Sequence, residues 1–431
     1  MTPEVSIPSK VRSEVTPRGV ERSGVDIIAN SPNEIAAEVQ RTLLSDHPDL
    51  ARTEEQVSRR LCISTEQARA LIYEIVRQVN SHLFPPITHM ELIHTEGCNL
   101  ACSYCFEKAM LGPRRMPLEI GLSGIDLLFA YSGNERALSI IHFGGEPTIN
   151  FPAIQRVTEY AEKLATDHGK TIDFHMTSNG VILNDEMAAY FAKHHIMVLL
   201  SIDGLEASHD RFRVDKQGRG TFQRVMKAFH ILKNTQRWVG IKMTVMPENA
   251  DKLFDDVVGL YQLGINQFLI GYATGLTSSR EDMESYIDEL ARVYRWYKAN
   301  PDRNLKISGF EDVEENKIGF GCQAGRNSIT VSISGEISPC SKILALNNKQ
   351  LLGKLGDVRY GITHLRNRFE LSSCNKLRGA CEELGIAADY QGGCFASNYE
   401  DNRDLFRPNM QDHEFSLLKR TACSTCTGCG R

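Results

Sequence analysis

Three cysteines, Cys98, Cys102 and Cys105, sit close together in the stretch CNLACSYC, with three and then two residues between them. They directly follow an apolar run, Met90 to Thr95, that reads as a buried strand. Thiolates at this spacing ligate a metal ion or an iron–sulfur cluster. The chain must therefore turn at the end of a strand around such a site. A cubane cluster has four irons, so three local thiolates leave one iron without a protein ligand. That open corner can bind and activate a small molecule. For the motif by itself, a three-thiolate zinc site completed from elsewhere is the plain alternative.

The other cysteines are placed unevenly. Of 12 in 431 residues, Cys62 stands alone, three lie at 98–105 and eight fall between 322 and 429. A chain of this length has core enough to fold without disulfide staples, so grouping favours metal clusters over scattered thiols. Cys62 lies in an apolar setting and is expected as a core thiol. A net charge of -5 with 24% charged residues gives no sign of a nucleic-acid binder. No apolar run approaches the roughly 20 residues of a membrane span, and the N-terminus lacks a signal peptide's apolar segment. No membrane partner and a cytoplasmic location are expected.

Along the chain, residues 1–25 read as a polar arm. Residues 30–82 are helical in period: one helix from Ser31-Pro32 through Leu44, a second beginning at Thr53, and a third behind the capping-box pair Ser64 and Gln67. The proportions suit a helix–turn–helix, but no basic base-reading surface accompanies them. From about 87 to 300, strands are expected at 89–95, 138–143, 171–177, 196–202, 239–246 and 267–271, with helices between them. That alternation calls for right-handed crossovers and a parallel sheet, with chemistry at the strands' C-terminal ends. Three motifs fall there: Phe143-Gly144-Gly145-Glu146-Pro147, Thr177-Ser178-Asn179-Gly180, and the stretch from Ser201 and Asp203 to Arg213. Lys242 and Thr244 alternate on the fifth strand and can face the same mouth. Beyond 300, Ile329 to Ile337 alternates over a turn, predicting a small hairpin with Cys322 and Cys340 at its base.

These motifs resemble the radical S-adenosylmethionine (SAM) superfamily, whose CxxxCxxC signature is matched down to the aromatic Tyr104. The resemblance implies a [4Fe-4S] cluster on Cys98, Cys102 and Cys105. Its open iron chelates SAM, whose reductive cleavage yields a 5'-deoxyadenosyl radical that takes hydrogen from the substrate. It also implies an α/β fold, a partial (β/α)6 barrel with an N-terminal mainly helical domain and a C-terminal cysteine-rich cluster domain. The expected boundaries are 1–86, 87–300 and 301–431. Gly144, Gly145, Glu146 and Pro147 then form the loop around the SAM ammonium, with Glu146 touching it or holding the loop in shape. Ser178 and Asn179 correspond to the ribose-contacting region, and Ser201 and Arg213 to SAM contacts. Asp203 either braces the loop or touches ligand, and His209 is structural rather than catalytic. The N-terminal segment faintly resembles the winged-helix leader-recognition domain of peptide-modifying relatives.

The region after 300 resembles the SPASM-type auxiliary cluster domain but departs from its later cysteine run, which expects cysteines near Leu384 and Tyr390. Counting Cys322, Cys340, Cys374, Cys381, Cys394, Cys423, Cys426 and Cys429 gives eight thiols, enough for two auxiliary [4Fe-4S] clusters. One cluster plus a zinc site, or a cluster with an open iron, stays open. Auxiliary clusters suggest disposal of an electron after a radical forms a new bond. The implied function is a maturase installing a thioether, carbon–carbon or ether crosslink in a ribosomally synthesised precursor peptide, leader plus core. An external donor such as flavodoxin or ferredoxin would supply electrons. Peptide epimerisation, a SPASM-type dehydrogenase and sulfatase maturation are the alternatives. Ser341 stands where sulfatase maturases are expected to carry an aspartate base.

Overall fold

The computed structural model describes residues 31–45, 47–273, 278–310, 320–346, 353–386, 390 and 392–425. The expected polar arm, Cys426 and Cys429 lie outside them. Three helices come first: α1 (Ser31–Leu43), α2 (Leu50–Leu61) and α3 (Thr65–Leu83). Helix α2 starts three residues before the expected Thr53, because the Asp49 side chain accepts from Arg52 N at 3.0 Å and caps it. Helix α3 starts where expected, with Ser64 and Gln67 exchanging backbone and side-chain hydrogen bonds. Cys62 is not a core thiol. It is exposed and ends α2 in the left-handed conformation at φ 52°, where the turn into α3 needs it. Among the described residues of 31–83 there is no strand. The three helices pack their apolar faces into a core of their own, built on Ile35, Val39, Val57, Ile72 and Ile75 and joined by Leu365.

A single sheet carries the rest. Strands β1 (His89–Ile93), β2 (Ala137–Phe143), β3 (Thr171–Ser178), β4 (Ile196–Ser201), β5 (Val239–Val245) and β6 (Gln267–Tyr272) pair in sequence order and in parallel. All six expected strands are present. Helices α4 (Leu118–Tyr131), α5 (Phe151–His168), α6 (Asp185–Lys193), α7 (Glu206–Phe212), α8 (Phe222–Thr235) and α9 (Leu253–Gln262) make the crossovers, and α10 (Arg280–Ala299) follows β6. Each strand alternates. On β5, Ile241, Met243 and Val245 are buried in the core, while Lys242 and Thr244 take the other face. The sheet does not close. A two-residue β7 (Lys306–Ile307) lies beyond β6. At the opposite edge β8 (Ser328–Val331) pairs in parallel with β1, and β9 (Glu336–Ser338) turns back antiparallel as the expected hairpin. The short strands β10 (Gly356–Asp357) and β11 (Gly361–Ile362) continue that edge.

The hairpin is tied to β1 by a side chain as well. Glu91 accepts from Thr330 Oγ1 at 2.6 Å and from Ser341 N at 3.1 Å, at the start of α11 (Ser341–Ala345). Behind it, α12 (Leu365–Ser373) carries Arg368, which is 1% exposed. Its guanidinium donates to Asn80 Oδ1 and Pro85 O at 2.8 Å, to Arg326 O at 3.2 Å and to Gly325 O at 3.3 Å. One buried cation thus joins α3, the segment entering β1 and the loop before β8. No helix among the described residues is long and apolar enough to cross a membrane.

Burial pulls the Arg368 pKa down to about 10, so it stays charged at neutral pH and needs all its acceptors. Arg368→Leu leaves four oxygens, two of them in fully buried contacts, without their donor. It should destabilise the fold by about 3 kcal/mol, seen as earlier urea unfolding by circular dichroism. An unchanged midpoint would mean that water satisfies those oxygens.

Candidate active site

Cys98, Cys102 and Cys105 lie on the loop leaving β1 and line a cavity of about 230 Å³ at the C-terminal ends of the parallel strands. Gly144, Gly145, Ser178, Asn179, Ser201, Lys242, Thr244, Gly271 and Arg213 supply further wall. Burial pushes the Cys98 thiol up to about 12 and raises Cys102 and Cys105 too, with Arg213 pulling Cys102 partly back. Three half-buried thiols that resist ionisation by themselves suit a metal centre, whose positive charge makes the thiolate the stable form. Among the described residues no three His, Cys, Asp or Glu side chains gather as around one ion.

The loop after β2 docks on this turn through its backbone. Gly145 N donates to Thr95 O at 3.0 Å and Glu146 N to Gly97 O at 2.8 Å. A Cβ on Gly145 would lie 2.4 Å from Gly97 O, and one on Gly144, at φ 113°, would lie 2.5 Å from Thr95 O. Neither position tolerates a side chain. Glu146, 1% exposed, holds the loop in shape. Its carboxylate accepts from Thr148 N at 3.2 Å, Thr148 Oγ1 at 2.5 Å, Ser178 Oγ at 2.8 Å and Asn179 N at 2.7 Å. Burial raises its pKa against the pull of those donors. Asn179 then closes the ring, donating to Asn99 Oδ1 at 2.8 Å and reaching Cys98 Sγ at 3.9 Å.

A second set of contacts fixes Arg213. Its Nε donates to Asp203 at 2.7 Å, its Nη1 lies 3.9 Å from Cys102 Sγ, and its guanidinium sits 5.3 Å from the Tyr104 ring centroid. Asp203 also accepts from the Tyr104 hydroxyl and from Thr244 N. With its carboxylate spent on three donors it braces the wall from behind, as does Pro147, which begins a short 3-10 turn. Neither borders the cavity. His209 accepts from Asp203 N and meets Thr221 Oγ1 at 2.9 Å. Burial holds it neutral, with a pKa down to about 4, which fits the expected structural role.

The later cysteines converge in part. Cys322 and Cys340 flank the β8–β9 hairpin, and Cys394 bears electrostatically on both. Burial pushes the Cys340 thiol up to about 12. Cys374, buried at φ 53°, neighbours Cys322 and presses on Gly321. Cys381 is buried on α13 (Asn375–Glu383), with Tyr390 neighbouring both it and Cys394. Cys423 lies on α14 (Met410–Thr425), whose Phe415 stacks on Tyr272 at 5.4 Å, beside the cavity.

Several lining residues carry no motif. Phe106, Glu107, Tyr272 and Lys342 enter the wall. Glu107 is 5% exposed, with Oε1 unpartnered and its carboxyl pushed up to about 7 by burial. Its position two residues after the last cysteine of the triplet was the available signal. Behind the site, His94 Nε2 meets His142 Nδ1 at 2.8 Å, and His142 Nε2 meets Thr158 Oγ1 at 3.2 Å, all fully buried.

Residues 92–260 match the family model described as the radical SAM superfamily. The chain carries a radical SAM domain and is an enzyme. Its family uses SAM and a [4Fe-4S] cluster, and the Cys98, Cys102 and Cys105 thiols around the cavity fit that group. This radical SAM chain is 22% identical over 335 residues to the radical SAM cyclopropyl synthase TigE of Paramaledivibacter caminithermalis, covering 73% of this chain and 69% of that one. It is 24% identical over 270 residues to a cysteine-type anaerobic sulfatase-maturating enzyme of Clostridium novyi, covering 57% and 71%. Among solved structures, anSMEcpe with bound AdoMet and the Cp18Cys peptide superposes with a TM-score of 0.61 at 18% identity, over 79% of this chain and 100% of that one. At that identity the likeness speaks for the fold.

Two outcomes follow from the buried groups. Glu146→Ala strands the Ser178, Asn179 and Thr148 donors and should cost about 3 kcal/mol, measurable as a lower thermal midpoint. Burial holds His94 near 3 and His142 well below its ordinary value. The unfolded chain therefore binds more protons than the folded one below about pH 6.5. Their contribution to stability is complete above that pH and is lost as pH falls toward 3. His142→Gln should flatten the fall in apoprotein stability by up to about 1.4 kcal/mol per pH unit. Equal slopes would place a charge on folded His142.

Proposed function

We propose that the protein is a peptide maturase that installs an oxidative crosslink, thioether, carbon–carbon or ether, in a ribosomally synthesised precursor peptide. The observation that carries the reading is the joining of two thiol groups through one strand. Cys98, Cys102 and Cys105 follow β1, and the hairpin with Cys322 and Cys340 pairs directly with β1. A radical site and an electron acceptor so coupled suit a reaction that forms a bond and discards an electron. The peptide bound by anSMEcpe supports a peptide substrate.

When bound, SAM and its cluster supply a hydrogen-abstracting radical. The chain's own part is to hold and orient. Cys98, Cys102 and Cys105 ligate the cluster, and Gly144 and Gly145 bring backbone against the SAM ammonium. Arg213 and Ser201 offer donors to its carboxylate, while Ser178, Asn179 and Tyr104 complete the pocket. Asp203, Glu146 and Pro147 keep these groups in place. Cys322, Cys340, Cys374, Cys381, Cys394, Cys423, Cys426 and Cys429 provide for two auxiliary clusters, and a flavodoxin or ferredoxin supplies the electrons. Residues 1–86 form a leader-recognising helical domain, 87–300 the barrel and 301–431 the cluster domain.

Sulfatase maturation is the second reading, favoured by the likeness to the Clostridium novyi enzyme. Against it, Ser341 occupies the position of the expected aspartate and gives its backbone N–H to Glu91. Anaerobic reconstitution with reductant and SAM should yield 5'-deoxyadenosine. Replacing Cys98, Cys102 and Cys105 by Ala should abolish it while auxiliary-cluster absorbance remains. No 5'-deoxyadenosine from the wild type would sink the radical reading. With the peptide encoded beside the gene, a product lighter by two hydrogens supports the crosslink. Unchanged mass with solvent deuterium indicates epimerisation, and an aldehyde on a sulfatase-derived peptide indicates the second reading.

A further inference from the structure

Beside the later cysteines one buried polar group stands without a partner. Tyr390 is 5% exposed, and its hydroxyl has no hydrogen-bond partner among the described residues. The hydroxyl lies against Gly393, where a Cβ would come within 2.6 Å of it. Gly392 and Gly393 both take left-handed backbone, at φ 84° and 69°, so the chain turns beneath the phenol straight into Cys394. Asn398 pins that turn, donating from Nδ2 to Gly392 O at 3.3 Å and to Leu405 O at 3.1 Å. Cys381 and Cys394 both bear electrostatically on Tyr390.

The acceptors nearby serve other donors. Asn398 Oδ1, close to Gly393, receives Asn409 N at 2.9 Å, and the Asp412 carboxylate receives Ser397 Oγ at 2.8 Å. Neither the Cys381 nor the Cys394 sulfur is in hydrogen-bond contact with the phenol. The His413 ring stands edge-on to Tyr390 at 5.1 Å, and its buried Nε2 is unpartnered as well. Leaving a buried hydroxyl unpaired is costly, and native interiors keep few of them. A phenol is protonated at neutral pH and donates one hydrogen bond. An iron–sulfur cluster on the neighbouring thiols brings negatively charged sulfurs of its own, which accept such bonds. The orphaned donor beside two thiols therefore fits that group.

We propose that Tyr390 donates its hydrogen bond to a sulfur of the auxiliary iron–sulfur cluster beside Cys381 and Cys394, and so raises that cluster's reduction potential. This rests on the auxiliary-cluster part of the peptide-maturase reading and adds to it the residue that tunes the electron acceptor. Reduction puts one more negative charge on the cluster, so a fixed donor stabilises the reduced state more than the oxidised one. In the crosslinking reaction the electron left over from bond formation passes from the product radical to the cluster, and Tyr390 keeps its proton throughout.

The test uses full-length protein reconstituted anaerobically with iron and sulfide. Its auxiliary signals are those that persist when Cys98, Cys102 and Cys105 are replaced by Ala. In a redox titration followed by electron paramagnetic resonance, Tyr390→Phe should lower the midpoint of one auxiliary cluster by about 59 mV, a tenfold change for one electron. Iron per chain should stay the same. Pulsed electron–nuclear double resonance on the reduced cluster should show an exchangeable proton coupling in the wild type that the Phe variant lacks. In the apoprotein the same substitution removes a hydroxyl without a partner, so the thermal midpoint should be unchanged or higher. An unchanged potential, or unchanged proton couplings, overturns the proposal and leaves the hydroxyl to a buried water. Iron lost in Tyr390→Phe also overturns it and makes the phenol a ligand of the metal. A lower apoprotein midpoint overturns it by revealing a partner within the chain. No auxiliary signal in the wild type sinks the cluster reading and this proposal with it, a result distinct from an unshifted potential. The 5'-deoxyadenosine result, which reports on the other cluster, stands apart from all of these.

Discussion

Everything at the barrel mouth leans on one buried carboxylate. Glu146 receives its hydrogen bonds from its own turn and from the end of β3, while its backbone N–H reaches Gly97 in the cysteine loop. Three stretches far apart in sequence are thereby fixed against each other. Burying a carboxylate is expensive unless donors surround it, and a loop needs a fixed reference if its carbonyls are to face a ligand. Glu146 answers both requirements. The two adjacent glycines remove the side chains that would otherwise keep the loops apart.

Arg368 does a comparable service on the far side of β1. The N-terminal helices have their own core, and apolar packing alone would leave them loosely attached to the sheet. The guanidinium holds Asn80, Pro85 and the loop before β8 through main-chain and amide oxygens, without a carboxylate partner in that set. A charge placed so is stable when its geometry is complete, so it specifies one docking arrangement of α3 over others.

Much of this was legible beforehand, for physical reasons. The six strands and their helices were readable because parallel strands buried on one face impose a strong apolar period. The Ser64–Gln67 cap was readable because its chemistry is local. Asp49 was missed as the cap of α2 because Thr53 lay nearer the charged run, and Cys62 because apolar neighbours in sequence do not reveal a turn. The motif residues around the cavity were found through local signatures. Lys342 was not, since its membership depends on how the C-terminal segment folds back over β1, and Phe106 and Glu107, though next to the triplet, match no ligand signature. The split between Ser201 and Arg213 at the wall and Asp203 behind it likewise depends on side-chain direction, which no spacing encodes.

The pairing of β8 with β1 has a mechanical consequence. The two thiol-bearing segments adjoin strands of one hydrogen-bonded lattice, further stitched by Glu91. Redox groups mounted on the two would keep a constant separation while substrates come and go, so the rate at which an electron passes would be a fixed property of the scaffold, insensitive to which peptide occupies the mouth.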